Sequence, residues 1–332
     1  MLNSLILNHI MILVAFLLGL ILCLLFGVPY IDFLKKHMYG QYVKDVAPEA
    51  HAQKAGTPTT GGIFIVSAVI IASIITLLLA QKLDTTALIV LMTLFFYTLA
   101  GFQDDILKIK GKANAGLSAK GKFLRQVGIA LLPALFITLA HQTSISVGYW
   151  SINLKFIYPL IAVFLITGFS NAYNLTDGLD GLAASTGIPV FLACTVMAEL
   201  AGGHEVAIIS ATVAGALIGF LRYNKSKAQV FMGDTGSLAL GGLLGTLAVV
   251  GKFEFWLVVM AGVFVIETLS VIIQVISFKT TGKRVFKMSP IHHHYELLGW
   301  SEIKIVKVFA LVSLVFSAMA VLVFAYFHYG II

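Results

Sequence analysis

Residues 11–27 read MILVAFLLGLILCLLFG, an apolar run with no charged side chain. A hydrocarbon core about 30 Å thick is crossed by about 20 apolar residues in α-helix. Lipid offers no hydrogen-bond partner, so such a segment pairs its backbone groups internally and is helical. Residues 156–169, FIYPLIAVFLITGF, repeat the pattern. The whole chain shares this character: 332 residues, 59% hydrophobic and 11% charged, against about 25% charged in average globular proteins. A mean hydropathy of +0.97 leaves too little polar surface to coat a soluble domain. The alternation of a membrane β-barrel is absent. The expected fold is all-α, a polytopic membrane helix bundle over residues 1–332, with no separate soluble domain, low-complexity linker or internal repeat.

Ten spans are expected, near 9–30, 61–80, 85–102, 123–141, 154–172, 181–201, 205–222, 237–251, 254–277 and 305–328. The eighth is short and Gly-rich. It is needed because residues 237–277 are too long for one helix, and Gly251-Lys-Phe-Glu254 offers a turn. The loops at 31–60, 103–125, 222–236 and 278–307 carry 19 of the 22 Lys and Arg residues. The opposite loops hold only Lys82, Lys155 and Lys252. Cytoplasmic loops are the basic ones, so this split places these loops in the cytoplasm and both termini outside. The net charge of +7 is then mainly a topology signal and not a nucleic-acid footprint. Lys35-Lys36 follow the first span and no Lys or Arg precedes it, the reverse of a cleaved signal peptide. Cys23 and Cys194 lie in apolar runs and read as buried small hydrophobes.

Five of the 15 acidic residues lie at span ends on the basic side in Gly-rich or Asn-rich, apolar-flanked contexts. Asp104 and Asp105 end the third span in GFQDDILK (101–108), Asp177 and Asp180 follow the fifth in NAYNLTDGLDG (171–181), and Asp234 opens the eighth in FMGDTGS (231–237). Hard carboxylate oxygens suit Mg²⁺, which uses one or two of them together with substrate phosphates. An adjacent Asp pair is costly without a nearby cation. Lys108, Lys110, Lys112, Lys120, Lys122 and Arg125 crowd the loop after Asp104-Asp105. Such a run is a topology determinant, an anionic-lipid contact or, beside a metal, a diphosphate holder. Residues 116–122, GLSAKGK, imitate a phosphate-binding loop but continue with Phe123, where Ser or Thr is needed, and no strand precedes them. His292, His293 and His294 stand in SPIHHHYE (289–296). Three successive residues diverge by about 100° each on a helix and cannot share one metal. Zinc, a solvated tract, and imidazole contacts to phosphate or nucleotide remain open for them. Residues 54–62, KAGTPTTGG, make a constrained turn where backbone N–H groups attract anions.

Residues 54–62, 101–108, 116–126, 171–183, 224–237 and 290–296 together resemble the phospho-N-acetylmuramoyl-pentapeptide transferase family (translocase I), a branch of the polyprenyl-phosphate hexosamine-1-phosphate transferases. The resemblance runs in order along the whole chain. The run PIHHHYE is the more characteristic of this branch, and Thr60 departs from it where Met is expected. The resemblance implies that Asp104, Asp105 and Asp234 are catalytic, with Asp105, Asp177 and Asp234 around Mg²⁺. It implies that Asn171, Asn174, Asp177 and Asp180 order nucleotide and metal, and that Asn224 and Phe231 line the uridine. Lys54, Thr59, Lys108 and Lys120 would contact phosphates, and His292, His293 and His294 the sugar-phosphate side. The implied reaction joins UDP-N-acetylmuramoyl-pentapeptide to undecaprenyl phosphate, giving lipid I and UMP, in a homodimer whose active site faces the cytoplasm.

Two other readings compete. A related transferase would move N-acetylglucosamine 1-phosphate with the same aspartates. A secondary transporter would place ionisable groups near the bilayer midplane, where Glu267 is the candidate; Glu267 is otherwise a satisfied polar contact inside the bundle. The basic split makes a direct prediction. Cysteines near Lys112 and Lys225 are expected to react with an impermeant thiol reagent only from the cytoplasm, and one near Gln81 only from outside. Labelling of position 112 on intact cells reverses the orientation.

Overall fold

The computed structural model describes residues 2–37, 56–110 and 116–329. Helix α1 spans Leu2–Lys36, α2 Gly62–Leu79, α3 Thr85–Lys110 and α4 Ala119–Leu139. A hairpin follows, β1 Ser144–Val147 and β2 Trp150–Asn153. Then come α5 Tyr158–Thr176, α6 Leu182–Leu200, α7 His204–Asn224, α8 Gly233–Val250, α9 Glu254–Met260, α10 Gly262–Thr281, α11 Ile291–Glu296 and α12 Glu302–Tyr329. Among the described residues ten helices are long and apolar enough to cross a membrane, so the chain is a multi-pass helical membrane protein.

The eighth span is the centre of the bundle. Of its residues 89% are buried, against 22% for α1 and 17% for α12. Helix α8 packs against α3 and α5, while α1 lies on α7 and α12 on α6. Lipid tails are as apolar as side chains, so close backbone approach, not apolarity, drives helix association in membranes, and small residues allow it. The glycines that shorten the eighth span's apolar signal serve this purpose. A Cβ on Gly241 would overlap the Phe169 carbonyl, and one on Gly245 would stand 2.6 Å from Ile166 Cα. Gly242 accepts the ring of Tyr97, 2.7 Å from where its Cβ would be. The same device joins α1 to α7, where a Cβ on Gly215 would overlap the Phe16 carbonyl.

Two expectations need correction. The fold is not wholly α. Residues 144–153, SISVGYWSIN, pair antiparallel in the register Ser144 to Asn153 and Val147 to Trp150. A two-residue turn with Gly148 at φ +58° joins the strands, the position that suits glycine in tight hairpins. Tyr149 and Trp150 are exposed, as aromatic side chains are at membrane interfaces. The ninth span is also not one helix. It breaks at Ala261 into α9 and α10, while backbone bonds from Ala261 N–H to the Leu257 carbonyl and from Val265 N–H to the Ala261 carbonyl bridge the bend. Gly262 admits the ring of Phe316 at the break. Only 33% of the α10 window is buried. Its outward side chains include Ile266, Leu269, Ile273 and Ile276. Cys23 and Cys194 are both buried and unpaired, as expected.

Overpacking a tight contact costs about 1–3 kcal/mol. Gly215→Ala is therefore expected to lower the thermal unfolding midpoint of the detergent-purified protein by several degrees. Gly128→Ala, where a Cβ meets nothing within 4 Å, is expected to leave it unchanged or slightly raised, since alanine favours helix.

Candidate active site

Six elements meet at one end of the bundle: the start of α2, the end of α3, the start of α4, the loop after α5, the start of α8 and the segment around α11. Helix α3 carries Asp104, Asp105 and Lys108 through its last turns, past the end of the apolar run. Lys108 reaches back one turn to Asp104, Nζ to Oδ2 2.7 Å, and across to Asp234 Oδ2 at 2.9 Å. Helix α4 supplies Lys122, which pairs with Asp234 and stands 3.7 Å from Asp104. Two carboxylates and two ammonium groups thus alternate around a ring. Asp104 also accepts the Leu117 N–H at 2.7 Å, which anchors the turn before α4. On the far side of Asp234, the Asn174 amide donates to Oδ1 at 2.9 Å and to Ser237 Oγ at 2.8 Å.

Asp105 faces elsewhere. Its Oδ1 accepts the Asp234 N–H at 3.1 Å, and its Oδ2 accepts the Thr235 N–H at 2.9 Å and the Thr235 hydroxyl at 2.6 Å. Asp180 accepts the Ala228 N–H at 2.9 Å, while its own N–H donates to Glu302 at 2.6 Å. Asp177 caps the end of α5 and keeps partial exposure to the cleft. No donor among the described residues reaches its carboxylate. Desolvation, and after it the charges of Asp234, Asp105 and Asp180 in that order, push its pKa up to about 8.

That surplus of negative charge is where a cation fits. Among the described residues no three His, Cys, Asp or Glu side chains form a metal cage. Mg²⁺ does not require one, because substrate phosphates and water complete its octahedron. The donor set, Asp177 with Asp234 nearby, is hard oxygen throughout.

The other expected site residues divide into two layers. Thr59 is buried against Gly233, its Oγ1 2.7 Å from where a Cβ would stand. Phe231 is half-buried, and its backbone pairs with Pro58 and Gly61. Asn224 lies one layer down, donating to the Val230 carbonyl at 2.9 Å and accepting the Gly181 N–H at 3.0 Å. Asn171 is likewise engaged, in an amide pair with Gln126 at 2.7 and 3.3 Å. The three histidines point three ways. His292 is fully buried with Nδ1 3.0 Å from Glu267, His293 pairs with Glu296 at 2.5 Å, and His294 accepts the Lys287 N–H at 3.1 Å. Glu267 is thus a bundle-facing contact of His292, with no exposure of its own. Lys54 lies outside the described residues, and Lys120 is exposed, outside the ring.

Lys122 was not singled out in the sequence, although a signal for it exists. Ser118 caps α4, accepting the Gly121 N–H at 3.1 Å, and this sets the helix phase. Lys122 and the buried Gln126 then share one face by their i,i+4 spacing, while Lys120 is turned about 200° away.

The model for glycosyl transferase family 4 matches residues 87–252, the segment that carries Asp104, Asp105, Asp177 and Asp234. The chain is thus a polytopic membrane protein of the glycosyl transferase family 4 class. Within it, a phospho-N-acetylmuramoyl-pentapeptide-transferase of Geobacillus sp. (strain WCH70) is 45% identical over 316 residues, covering 92% of this chain and 96% of the relative. A namesake from Oceanobacillus iheyensis is 46% identical over 320 residues, covering 93% and 95%. The one from Bacillus licheniformis is 43% identical over 313 residues, covering 93% and 97%. The chain belongs to the phospho-N-acetylmuramoyl-pentapeptide-transferase family.

The two lysines make a sharp comparison. Lys122→Ala is expected to lower transferase turnover by about 100-fold or more, as loss of a preorganised charge does. Lys120→Ala is expected to cost under about 10-fold. Equal losses in the two variants would show that the ring is not the working geometry.

Proposed function

We propose that the protein transfers phospho-N-acetylmuramoyl-pentapeptide from its UDP carrier to undecaprenyl phosphate, releasing UMP and forming lipid I. The observation that carries this is the ring of Asp104, Lys108, Asp234 and Lys122 beside Asp177, whose carboxylate no donor among the described residues reaches. The ring's paired charges suit the transfer of a phosphorylated group, which is what the name of the relatives specifies. A diphosphate donor with a phosphate acceptor is the substrate pair we assign to it. The ring lies at the end of the bundle whose loops are basic, which we read as the cytoplasmic face of a bacterial inner membrane. A soluble donor reaches it from the cytoplasm and a lipid acceptor reaches it sideways from the bilayer.

Phosphoryl transfer asks a protein for position and charge more than for covalent chemistry. When bound, Mg²⁺ held by Asp177, Asp234 and the donor diphosphate would neutralise charge on the departing UMP. Lys108 and Lys122 hold phosphate oxygens. They can turn from the carboxylates to an incoming phosphate without leaving the ring. Asn174 keeps Asp234 in place during that exchange. The lipid phosphate, with a second pKa near 6, is largely dianionic at pH 7. It attacks the donor phosphorus that carries the sugar, the new P–O bond forms, and the bond to the UMP oxygen breaks. No side chain need become a covalent intermediate. Asp104, held by Lys108 and the Leu117 N–H, orients the acceptor or takes its remaining proton. The homodimer implied by the family resemblance is part of the same proposal.

The N-acetylglucosamine 1-phosphate reading shares the ring and differs only in donor. The transporter reading loses support at its candidate residue, because Glu267 is fully buried and pairs with His292. The test is UMP release from purified, delipidated protein. Release is expected only with UDP-muramoyl-pentapeptide, undecaprenyl phosphate and Mg²⁺ all present, and labelled UMP is not expected to exchange into the donor without lipid. Preference for UDP-N-acetylglucosamine would move the protein to the neighbouring branch. Exchange at a rate near turnover would establish a covalent enzyme.

A further inference from the structure

Neighbouring residues on a helix point about 100° apart, so Asp104 and Asp105 cannot serve one ligand together. The structure shows what each does instead. Asp104 faces Lys108, Lys122 and the Leu117 N–H. Asp105, 3% exposed, turns its whole carboxylate toward the start of α8. Three donors, the N–H groups of Asp234 and Thr235 and the Thr235 hydroxyl, occupy its two oxygens at 2.6–3.1 Å.

The first N–H groups of a helix have no partner within it, and that end carries partial positive charge that an anion offsets. A residue just before the helix usually provides the cap. In α8 that residue is Met232, which makes no side-chain cap. Asp105, on another helix, takes the role. Gly233 allows it, standing at φ +71° with no Cβ; a Cβ there would lie 2.5 Å from Asp105 Oδ2. The strand-like pairings of Gly61 N–H with the Phe231 carbonyl and of Gly62 N–H with the Met232 carbonyl, each 2.9 Å, hold the same turn from the other side.

We infer that Asp105 is a positioning residue: it caps α8 from α3 and so fixes the backbone from which Asp234 presents its carboxylate, and it is not a ligand of the metal. The inference rests on the proposal above that Asp234 works on Mg²⁺ and the donor phosphates. It assigns the adjacent acidic pair two separate duties. Asp104 acts in the site, and Asp105 acts through Asp234.

Three variants of the full-length enzyme test this: Thr235→Val, Asp105→Asn and Asp234→Asn. Thr235→Val removes the hydroxyl donor to Asp105 and leaves every carboxylate in place. It is expected to lower kcat by about 10-fold, the worth of one hydrogen bond to a charged group, with donor KM within about threefold of wild type. Asp105→Asn is expected to lose about 100-fold in kcat, and adding Thr235→Val to it should cost nothing more. A readout independent of turnover is Mn²⁺ affinity in the presence of UDP, followed by electron paramagnetic resonance. Affinity should stay within about threefold of wild type in Thr235→Val and Asp105→Asn, and should fall at least 10-fold in Asp234→Asn. Wild-type kcat in Thr235→Val overturns the inference. So does an Mn²⁺ affinity in Asp105→Asn that falls as far as in Asp234→Asn, because Asp105 is then a ligand. If Asp105→Asn does not fold, the Thr235→Val pair of measurements decides alone. Undiminished Mn²⁺ binding in Asp234→Asn would remove the metal reading of Asp234, while the coupling between Asp105 and Thr235 would still report the cap.

Discussion

The close burial of α8 is the contact on which the rest of the molecule depends. Lipid gives helices no hydrophobic reason to associate, so the bundle is held by backbone approach and polar pairing. Glycines along α8 bring α3 and α5 against it, and the α2 turn meets its first residues. These same helices carry the acidic motifs at their ends. Packing at the middle of the membrane therefore sets, a few turns away, how Asp104, Asn174 and Asp234 stand to one another. A shift of α8 along its axis would disturb the site as surely as a change in the site itself.

The electrostatics follow from that geometry. Five carboxylates brought to one end of a bundle repel, and each is treated differently. Asp104 and Asp234 share two lysines. Asp105 is bound by the N–H groups of a helix, and Asp180 by a loop N–H and neighbouring groups. Asp177 has no such partner among the described residues, and burial raises its pKa. A buried charge without a partner is costly, so the site in isolation carries an unmet demand for positive charge. Below it Asn224 holds the backbone of Gly181 and Val230, Asn171 pairs with Gln126, and Glu267 pairs with His292. They form the support on which the ring rests.

The features that escaped the sequence have physical causes. The hairpin at 144–153 is ten residues of alternating pattern between two strong helical signals, too short to register against them. The bend at Ala261 has no proline to announce it; its backbone bonds continue across the break, and only the packing of Phe316 on Gly262 marks the place. Lys122 was hidden by Lys120, two residues away with the same charge. Only the phase of α4, set by its cap at Ser118, separates them.

The sequence by itself determined the membrane class, the ten spans, the side on which the chemistry collects and the acidic and histidine motifs. These are properties of local runs: apolar length, loop charge and residue type are all written along the chain. Tertiary structure alone decided which members of each motif meet. Adjacent residues of a motif point in different directions on a helix, and their partners lie more than a hundred residues away. Asp105 and Thr235 are one such pair, and Lys122 and Asp234 another. Nothing in either segment specifies the other; the packing of α3, α4 and α5 around a glycine-lined α8 brings them together.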